Sequence, residues 1–383
     1  MNDVEQDVLF MRQALRLAAR GRRTVRPNPM VGAVVVVNGT VVGSGYHKRA
    51  GGPHAEIVAL RQARDRSRNA TLYTTLEPCC HTDKRTPPCA PAILESGIHR
   101  VVVAMRDPNP KVAGRGIRQL RRAGLSVDVG CLGKEAAALN EVYLHWIKTG
   151  RPFVVLKAAM TLDGKIATAS GESQWITGPK ARAHVHELRS RFDVIAVGAE
   201  TVLKDDPQLT VRGSAGKRSS TGVRQPLRLI FDSRLRIPFG ARVLQGIEQV
   251  PTVIATTKLA NPRKVERLRK MGVQVLVLPR TGTRVSLGAC LQVLGNMGFT
   301  SMLLEGGAEL NAAFLREGLV KRAHLYVAPA LLGGQRAKSL LGGPSPRRLA
   351  EIVPVSNLHL QSLGEDVLIT GDVGVPPLSP LPD

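Results

Sequence analysis

The stretch Val31-Gly32-Ala33-Val34-Val35-Val36-Val37-Asn38-Gly39-Thr40-Val41-Val42 decides how the first part of the chain is read. A β-branched run, an Asn-Gly pair and a second apolar run predict two antiparallel strands joined by a tight turn. Asn-Gly supplies the positive φ angles that a type I′ turn requires. Upstream, Val8, Met11, Leu15 and Ala18 recur at helical spacing, so an amphipathic helix precedes the hairpin. Downstream, a helix starts near His54. Strands are expected at 71–76 and 100–104 with a helical stretch at 90–96 between them, then a last helix and strand at 117–123 and 125–129. Helix, hairpin, then alternating helix and strand indicate a layered α/β domain.

The pattern restarts near Lys148-Thr149-Gly150-Arg151-Pro152. Strands are expected at 153–159, 194–197, 227–231, 253–256, 273–278, 302–304 and 324–327, with helical stretches between several of them. This places a first domain at 1–148 and a second α/β domain at 151–371. At roughly 100–200 residues per domain, a chain of 383 residues accommodates both. The segment 212–225, rich in Gly, Ser and Arg, reads as a mobile loop. The tail 372–383 contains four prolines and reads as disordered.

Composition narrows the class. Hydrophobic residues make up 43% of the chain, enough for globular cores, and aromatics only 3%, so those cores are aliphatic. No run approaches the ~18 consecutive apolar residues of a membrane span. The first residues are acidic and lack the basic start of a signal peptide, so a cytoplasmic protein is expected. Of the five cysteines, Cys79, Cys80 and Cys89 fall within eleven residues, which suits metal binding better than a disulfide framework. Cys131 and Cys290 read as ordinary buried thiols. With 54 Lys plus Arg against 30 Asp plus Glu, the net charge is +24. That favours anionic partners, either nucleic acid or phosphorylated metabolites. An Arg-rich proteome would give the same excess with no such partner.

The chemistry-bearing residues of the first half are His54-Ala55-Glu56 at a helix start, Glu77-Pro78-Cys79-Cys80, and Pro87-Pro88-Cys89. His and two Cys supply three ligands of a tetrahedral zinc and leave the fourth position for water. Zinc lowers the pKa of that water towards ~7, and Glu56 is close enough in sequence to shuttle protons without binding metal. Zinc deaminases of nucleobases follow this logic with a His-x-Glu and Pro-Cys signature. The plainer reading is a structural zinc or an apolar thiol cluster. Cys80 and His81 compete with Cys79 for the metal; Cys79 is preferred because it directly follows Glu77-Pro78.

Here the chain resembles a known family, the bacterial bifunctional riboflavin biosynthesis proteins of the RibD type, over residues 5–370. The matching stretches are Arg26-Pro27-Asn28-Pro29-Met30-Val31-Gly32, Gly45-Tyr46-His47, Gly52-Pro53-His54-Ala55-Glu56, Thr75-Leu76-Glu77-Pro78-Cys79, Thr86-Pro87-Pro88-Cys89 and Asp107-Pro108-Asn109-Pro110. Ten positions separate Cys79 from Cys89, a gap typical of this family and unlike that of tRNA adenosine deaminases. The loop His81-Thr82-Asp83-Lys84-Arg85 departs from the pattern, which has a Gly and one residue fewer. The resemblance implies a cytidine-deaminase-like α/β/α domain followed by a dihydrofolate-reductase-like α/β domain. It also implies deamination of 2,5-diamino-6-(5-phosphoribosylamino)pyrimidin-4(3H)-one with zinc held by His54, Cys79 and Cys89 and Glu56 as proton carrier. Asn28, His47, Arg85 and Asn109 are the implied contacts to base or ribose phosphate. Each has a plainer role: a turn before proline for Asn28 and Asn109, a satisfied structural histidine for His47, a solvated charge for Arg85.

In the second half no Gly-x-Gly-x-x-Gly follows a strand, so a Rossmann fingerprint is absent. Leu303-Leu304-Glu305-Gly306-Gly307 leads from a strand into a helix, a geometry that can seat an anion on helix N–H groups or merely connect two elements. Leu156-Lys157-Ala158-Ala159-Met160-Thr161-Leu162-Asp163-Gly164-Lys165, Ser173-Gln174-Trp175-Ile176-Thr177 and Thr201-Val202-Leu203-Lys204-Asp205-Asp206-Pro207 resemble the reductase half of the same family. That implies reduction of the ribose to ribitol with NADPH. Ala159, Trp175, Thr201, Asp205 and Gly307 would line the cofactor; Ser173, Arg189, Leu209, Arg212, Glu305 and Lys157 would hold substrate. Arg189 and Arg212 suit a phosphate because a guanidinium binds two oxygens at once. Lys157 could instead pair with a carboxylate such as Asp205, and Trp175 could fill core.

Two other classes compete. A tRNA or polynucleotide deaminase with a C-terminal nucleic-acid-binding domain fits the charge, but the scarcity of aromatics for base stacking and the long Cys gap oppose it. A non-catalytic binding protein with structural zinc is opposed by Glu56 beside an open three-ligand site. The partner expected is therefore a phosphorylated pyrimidine, with no nucleic acid, no membrane, and a homo-oligomer as the form of assembly.

Overall fold

The computed structural model describes residues 2–83, 86–211 and 225–374. The chain divides into two compact units, Met1–Gly150 and Arg151–Asp383. The first contains α1 (Asp3–Ala19), β1 (Gly32–Val37), β2 (Thr40–Tyr46), α2 (Ala55–Ala63), β3 (Thr71–Thr74), α3 (Cys89–Glu95), β4 (Arg100–Val103), α4 (Arg115–Arg122), β5 (Ser126–Val129), α5 (Gly133–Leu139) and α6 (Glu141–Thr149). The expected turn forms: Asn38 has φ 48° and Gly39 φ 72°, and Val37 pairs with Thr40. α1 starts on a reciprocal cap, with the Asn2 side chain accepting from the Glu5 N–H and the Glu5 carboxylate from the Asn2 N–H.

The five strands lie in the order β2-β1-β3-β4-β5, antiparallel on both sides of β1 and parallel from β3 to β5. Strand periodicity sorts their side chains to two faces. Ala33, Val35, Leu72, Val101 and Val103 pack with Ala59, Ile93, Ile117 and Leu120. Val34, Val36, Tyr73 and Val102 pack with Phe10, Met11, Ala14 and Ala136 on the opposite side. Helices therefore cover both faces. Gly43 and Gly45 on β2 let α2 lie directly on the strand: a Cβ there would meet the carbonyl oxygens of Ala59 at 2.2 Å and Ala55 at 2.6 Å. This close seat fixes the start of α2, where His54 and Glu56 stand. α5 and α6 are additions to the elements read from the sequence.

The second unit contains β6 (Phe153–Thr161), β7 (Lys165–Ala167), α7 (Pro179–Arg189), β8 (Val194–Gly198), α8 (Ala199–Asp205), β9 (Leu227–Phe231), β10 (Thr252–Thr256), α9 (Pro262–Lys270), β11 (Gln274–Val277), β12 (Arg280–Thr281), β13 (Arg284–Val285), α10 (Leu287–Asn296), β14 (Ser301–Leu304), α11 (Ala308–Arg316), β15 (Val320–Ala328), β16 (Lys338–Ser339), β17 (Val355–Leu363) and β18 (Asp366–Val373). Nine strands form one sheet in the order β11-β10-β9-β8-β14-β6-β15-β18-β17. The first seven are parallel and the last two antiparallel. Strands β8, β9, β10 and β14 are buried along nearly their whole length, which is why they read as unbroken apolar runs.

β17 and β18 correct the reading of the C-terminus. The last strand continues to Val373, which pairs with Val355, so the sheet extends past residue 371. β17 lacks an apolar alternation because it is an exposed edge strand. Residues 375–383 of the tail, and almost all of the loop read at 212–225, lie outside the described residues.

Candidate active sites

In the first unit, the N-cap of α2 is His54, and Glu56, 3% exposed, is the second residue of the helix. Cys79 follows β3, and Cys89 opens α3. His54 Nδ1 lies 3.4 Å from Cys79 Sγ and 3.3 Å from Cys89 Sγ, and the ligand atoms of the three residues all lie within 4.8 Å of one another. A tetrahedral zinc with Zn–N of ~2.0 Å and Zn–S of ~2.3 Å has N···S edges of about 3.5 Å, so the spacing fits the metal. Two further contacts orient the donors. His54 Nε2 is 3.0 Å from Thr86 Oγ1, which turns Nδ1 towards the sulfurs. The Cys89 N–H donates to Cys79 Sγ at 3.3 Å. Cys80 and His81 are not part of the group; burial raises the Cys80 thiol above its usual pKa, with Glu77 adding to the effect.

His47 is 3% exposed. Its Nδ1 lies 3.0 Å from the Pro53 carbonyl, which can only accept, so Nδ1 carries the proton. Nε2 then accepts from Asn28 Nδ2 at 3.1 Å. The His47 and His54 rings meet edge-on with centroids 5.3 Å apart, so Asn28 and His47 adjoin the metal-binding group. Asn109 makes the local turn its plainer reading predicts: its Oδ1 accepts the Lys111 N–H at 3.0 Å. Arg85 lies outside the described residues.

Glu77, quoted in the motif but given no role there, is 3% exposed and accepts three backbone N–H groups, from Asp107, Gly114 and Ile117. It ties the end of β3 to the loop after β4. Apart from its place before Pro-Cys, nothing local in the sequence marks it.

In the second unit, β8 and β14 are neighbours, and their carboxyl ends gather candidate residues where an open parallel sheet binds ligands. Gly307 is the N-cap of α11. A Cβ built on it would lie 4.0 Å from Thr201 Oγ1, so the turn and the first residues of α8 face each other. Asp205 ends α8, accepts from Ser173 Oγ at 3.3 Å, and lines a cleft of about 650 Å³ with Ser173, Gln174 and Lys204. Burial raises the Asp205 carboxyl, partly offset by the Ser173 bond.

Lys157, Arg189 and Glu305 form a largely buried charge cluster, with side-chain exposures of 15%, 16% and 9%. The Arg189 guanidinium donates twice to the Glu305 carboxylate, at 2.6 and 2.8 Å, and Lys157 Nζ is 3.9 Å from it. Lys157 therefore pairs with Glu305 and not with Asp205: it points from β6 towards the neighbouring β14 turn. Burial alone would raise the Glu305 carboxyl, but Arg189 and then Lys157 overcome it and hold it at about 2. Burial lowers the Lys157 ammonium, with Glu305 opposing. Arg189 Nη1 also reaches the Thr210 carbonyl at 3.4 Å, which brings the segment of Leu209, itself at φ 51°, to the cluster. Ala159 lies two residues beyond Lys157 on β6.

Trp175 does not fill core. It is 71% exposed and lies against the Arg182 guanidinium, 4.8 Å from the ring centroid. Arg212 lies outside the described residues. Cys290 is fully buried, and burial pushes its thiol up to about 12; Cys131 is only half-buried, because it lies on the loop after β5.

Comparison with known proteins gives both units a family. The cytidine and deoxycytidylate deaminase zinc-binding region matches residues 4–105, and the RibD C-terminal domain matches residues 152–369. The chain is 45% identical over 363 residues to the riboflavin biosynthesis protein RibD of Actinobacillus pleuropneumoniae, covering 95% of this chain and 94% of that one. Identity to RibD of Escherichia coli K12 is 41% over 370 residues, covering 95% and 98%. Among solved structures, Acinetobacter baumannii RibD superposes with a TM-score of 0.86 at 39% identity, covering 97% of this chain and 99% of the other. A Thermotoga maritima deaminase and reductase superposes with a TM-score of 0.80 at 34% identity, covering 97% and 100%. A metal-ready His/Cys/Cys group in a deaminase fold and a parallel-sheet reductase unit in one chain, matched end to end by such relatives, mean that the protein belongs to the RibD family of riboflavin biosynthesis enzymes, joining a zinc-dependent deaminase to an NADPH-dependent reductase.

Proposed function

We propose that residues 1–148 deaminate 2,5-diamino-6-(5-phosphoribosylamino)pyrimidin-4(3H)-one to 5-amino-6-(5-phosphoribosylamino)uracil, and that residues 151–371, with the end of β18, reduce the ribose of that product to ribitol. The observation that carries the reading is the convergence of His54, Cys79 and Cys89 with a buried carboxylate, Glu56, two residues after the histidine. Zinc held by these three residues supplies a water acidified towards a pKa of ~7. Glu56 takes a proton from the attacking water and delivers it to the amine, so that water adds at the ring carbon and ammonia leaves. Asn28, His47, Asn109 and Arg85 contact the base or ribose phosphate. Asn28 and His47 are supported by their place beside His54.

In the second unit, Ala159, Trp175, Thr201, Asp205 and Gly307 line the nicotinamide cofactor, which supplies hydride. Ser173, Arg189, Leu209, Arg212 and Glu305 hold the substrate, and the Ser173–Asp205 bond joins the two sets. Lys157, its ammonium destabilised by burial, would polarise the sugar carbonyl and favour proton delivery to its oxygen.

The substrate is a small phosphorylated pyrimidine and not a nucleic acid. Among the described residues no helix is long and apolar enough to cross a membrane. Five cysteines outside any disulfide suit the cytoplasm. Self-association is part of the same proposal, supported by exposed Leu358 and Leu360 on edge strand β17; sedimentation would test it. The deciding assay supplies the diaminopyrimidine phosphate and NADPH and follows ammonia and NADPH together. One ammonia released per NADPH oxidised is expected. Release from tRNA but not from the pyrimidine would overturn the reading.

A further inference from the structure

Residues 106–150 lie between the two matched family regions, yet they complete the deaminase unit. Asn140, the N-cap of α6, is 2% exposed. Its Oδ1 accepts the Met30 N–H at 2.8 Å and its Nδ2 donates to the Met30 carbonyl at 2.9 Å. One side chain thus satisfies both hydrogen-bonding groups of a single loop residue, and the loop cannot shift without losing both bonds. Three residues on, Tyr143 is 8% exposed, and its hydroxyl donates to Asp107 Oδ1 at 2.9 Å. The same carboxylate oxygen accepts the Asn109 N–H at 2.9 Å.

The two loops held in this way flank the metal group. Met30 is two residues beyond Asn28, whose amide bonds His47, which in turn bonds Pro53 next to His54. The Asp107 loop is also bonded by Glu77, two residues before Cys79. The first turn of α6 therefore reaches both arms at once, from far along the chain.

We propose that Asn140 and Tyr143 are positioning residues of the deaminase: by clamping the 28–30 and 107–109 loops they set the spacing of the pocket walls, and with it the affinity for the pyrimidine. This rests on the reading that Asn28 belongs to the substrate pocket. Loss of the Asn140 pair, or of the single Tyr143 bond to the Asp107 carboxyl, is expected to change binding by about tenfold. Tyr143→Phe removes only the hydroxyl, and Asn140→Leu keeps the branched shape of the side chain without either bond.

The test uses the full zinc-loaded chain. Both variants are expected to raise the KM for the diaminopyrimidine about tenfold with kcat within about threefold of the parent. Zinc content and NADPH oxidation on the deaminated substrate should be unchanged. Should Asn140→Leu fail to fold, Tyr143→Phe carries the test alone. Asn28→Ala is the control. A raised KM in Asn28→Ala with a parent-like KM in the clamp variants overturns the positioning role. A loss of zinc and kcat at constant KM in the clamp variants overturns it too, since that is ordinary structural damage. A parent-like KM in Asn28→Ala overturns the pocket reading instead.

Discussion

Gly306 and Gly307 are adjacent in the turn that opens α11, but their surroundings differ. A Cβ on Gly306 would stand 2.7 Å from Asn311 Oδ1 and 3.1 Å from the Leu310 side chain, and Asn311 is fully buried. Gly306→Ala should therefore cost about 1–3 kcal/mol of stability through overpacking. Gly307 has an ordinary φ of −78°, and its Cβ would meet only Thr201 Oγ1, at 4.0 Å. The fold accepts alanine there, so any effect must come from a ligand. Gly307→Ala should melt like the parent yet bind NADPH more weakly; equal affinity by titration would remove this turn from the cofactor site. On the deaminase side, Glu56→Gln should lower deamination by at least ~10² while zinc stays bound. Cys80→Ser should keep about one zinc per chain and Cys79→Ser should lose it. The reverse pattern, by metal analysis, would make Cys80 and not Cys79 the ligand.

At the level of elements, the Lys157–Glu305–Arg189 cluster links β6, α7 and the turn between β14 and α11. The Glu305 carboxyl is held at about 2, below the unfolded value of ~4.3. A depressed acid contributes stability above its unfolded pKa and loses it as pH falls through its folded one. The reductase unit should thus lose this contribution between about pH 4 and pH 2. Glu305→Gln leaves two buried cations facing a neutral amide and should cost about 3 kcal/mol or more at neutral pH. The stability difference between parent and variant should shrink across that acid window. A difference independent of pH in denaturant titrations would mean that Glu305 is not ionised in the fold.

For the whole molecule, two sites built from separate segments should fail separately. Glu56→Gln, given deaminated substrate, should oxidise NADPH at nearly the parent rate. Asp205→Ala should release ammonia normally and accumulate the unreduced aminouracil. Mixed in one tube, the two variants should restore the overall conversion if the intermediate diffuses freely. Loss of NADPH oxidation in folded Glu56→Gln would contradict two independent sites. Failure of the mixture alone would point to transfer of the intermediate within one chain.

The Asn38-Gly39 turn, the apolar runs of β8, β9, β10 and β14, and the His, Cys and Cys with their neighbouring Glu could all be read along the chain. The first two are signals carried within a few residues, a positive-φ pair and burial on both faces; the third is a set of ligand types in order along the chain. Convergence could not be read there. That Glu305 and not Asp205 faces Lys157, and that Asn140 grips Met30, depend on which distant backbones lie side by side. β17 escaped the reading because an exposed edge strand has no buried face to impose alternation. α6 escaped it because its clamping residues serve loops far away in sequence. Periodicity records only whether a side chain is buried, and the partner it meets there is set by strand order, register and helix seating, which exist only once the chain has folded.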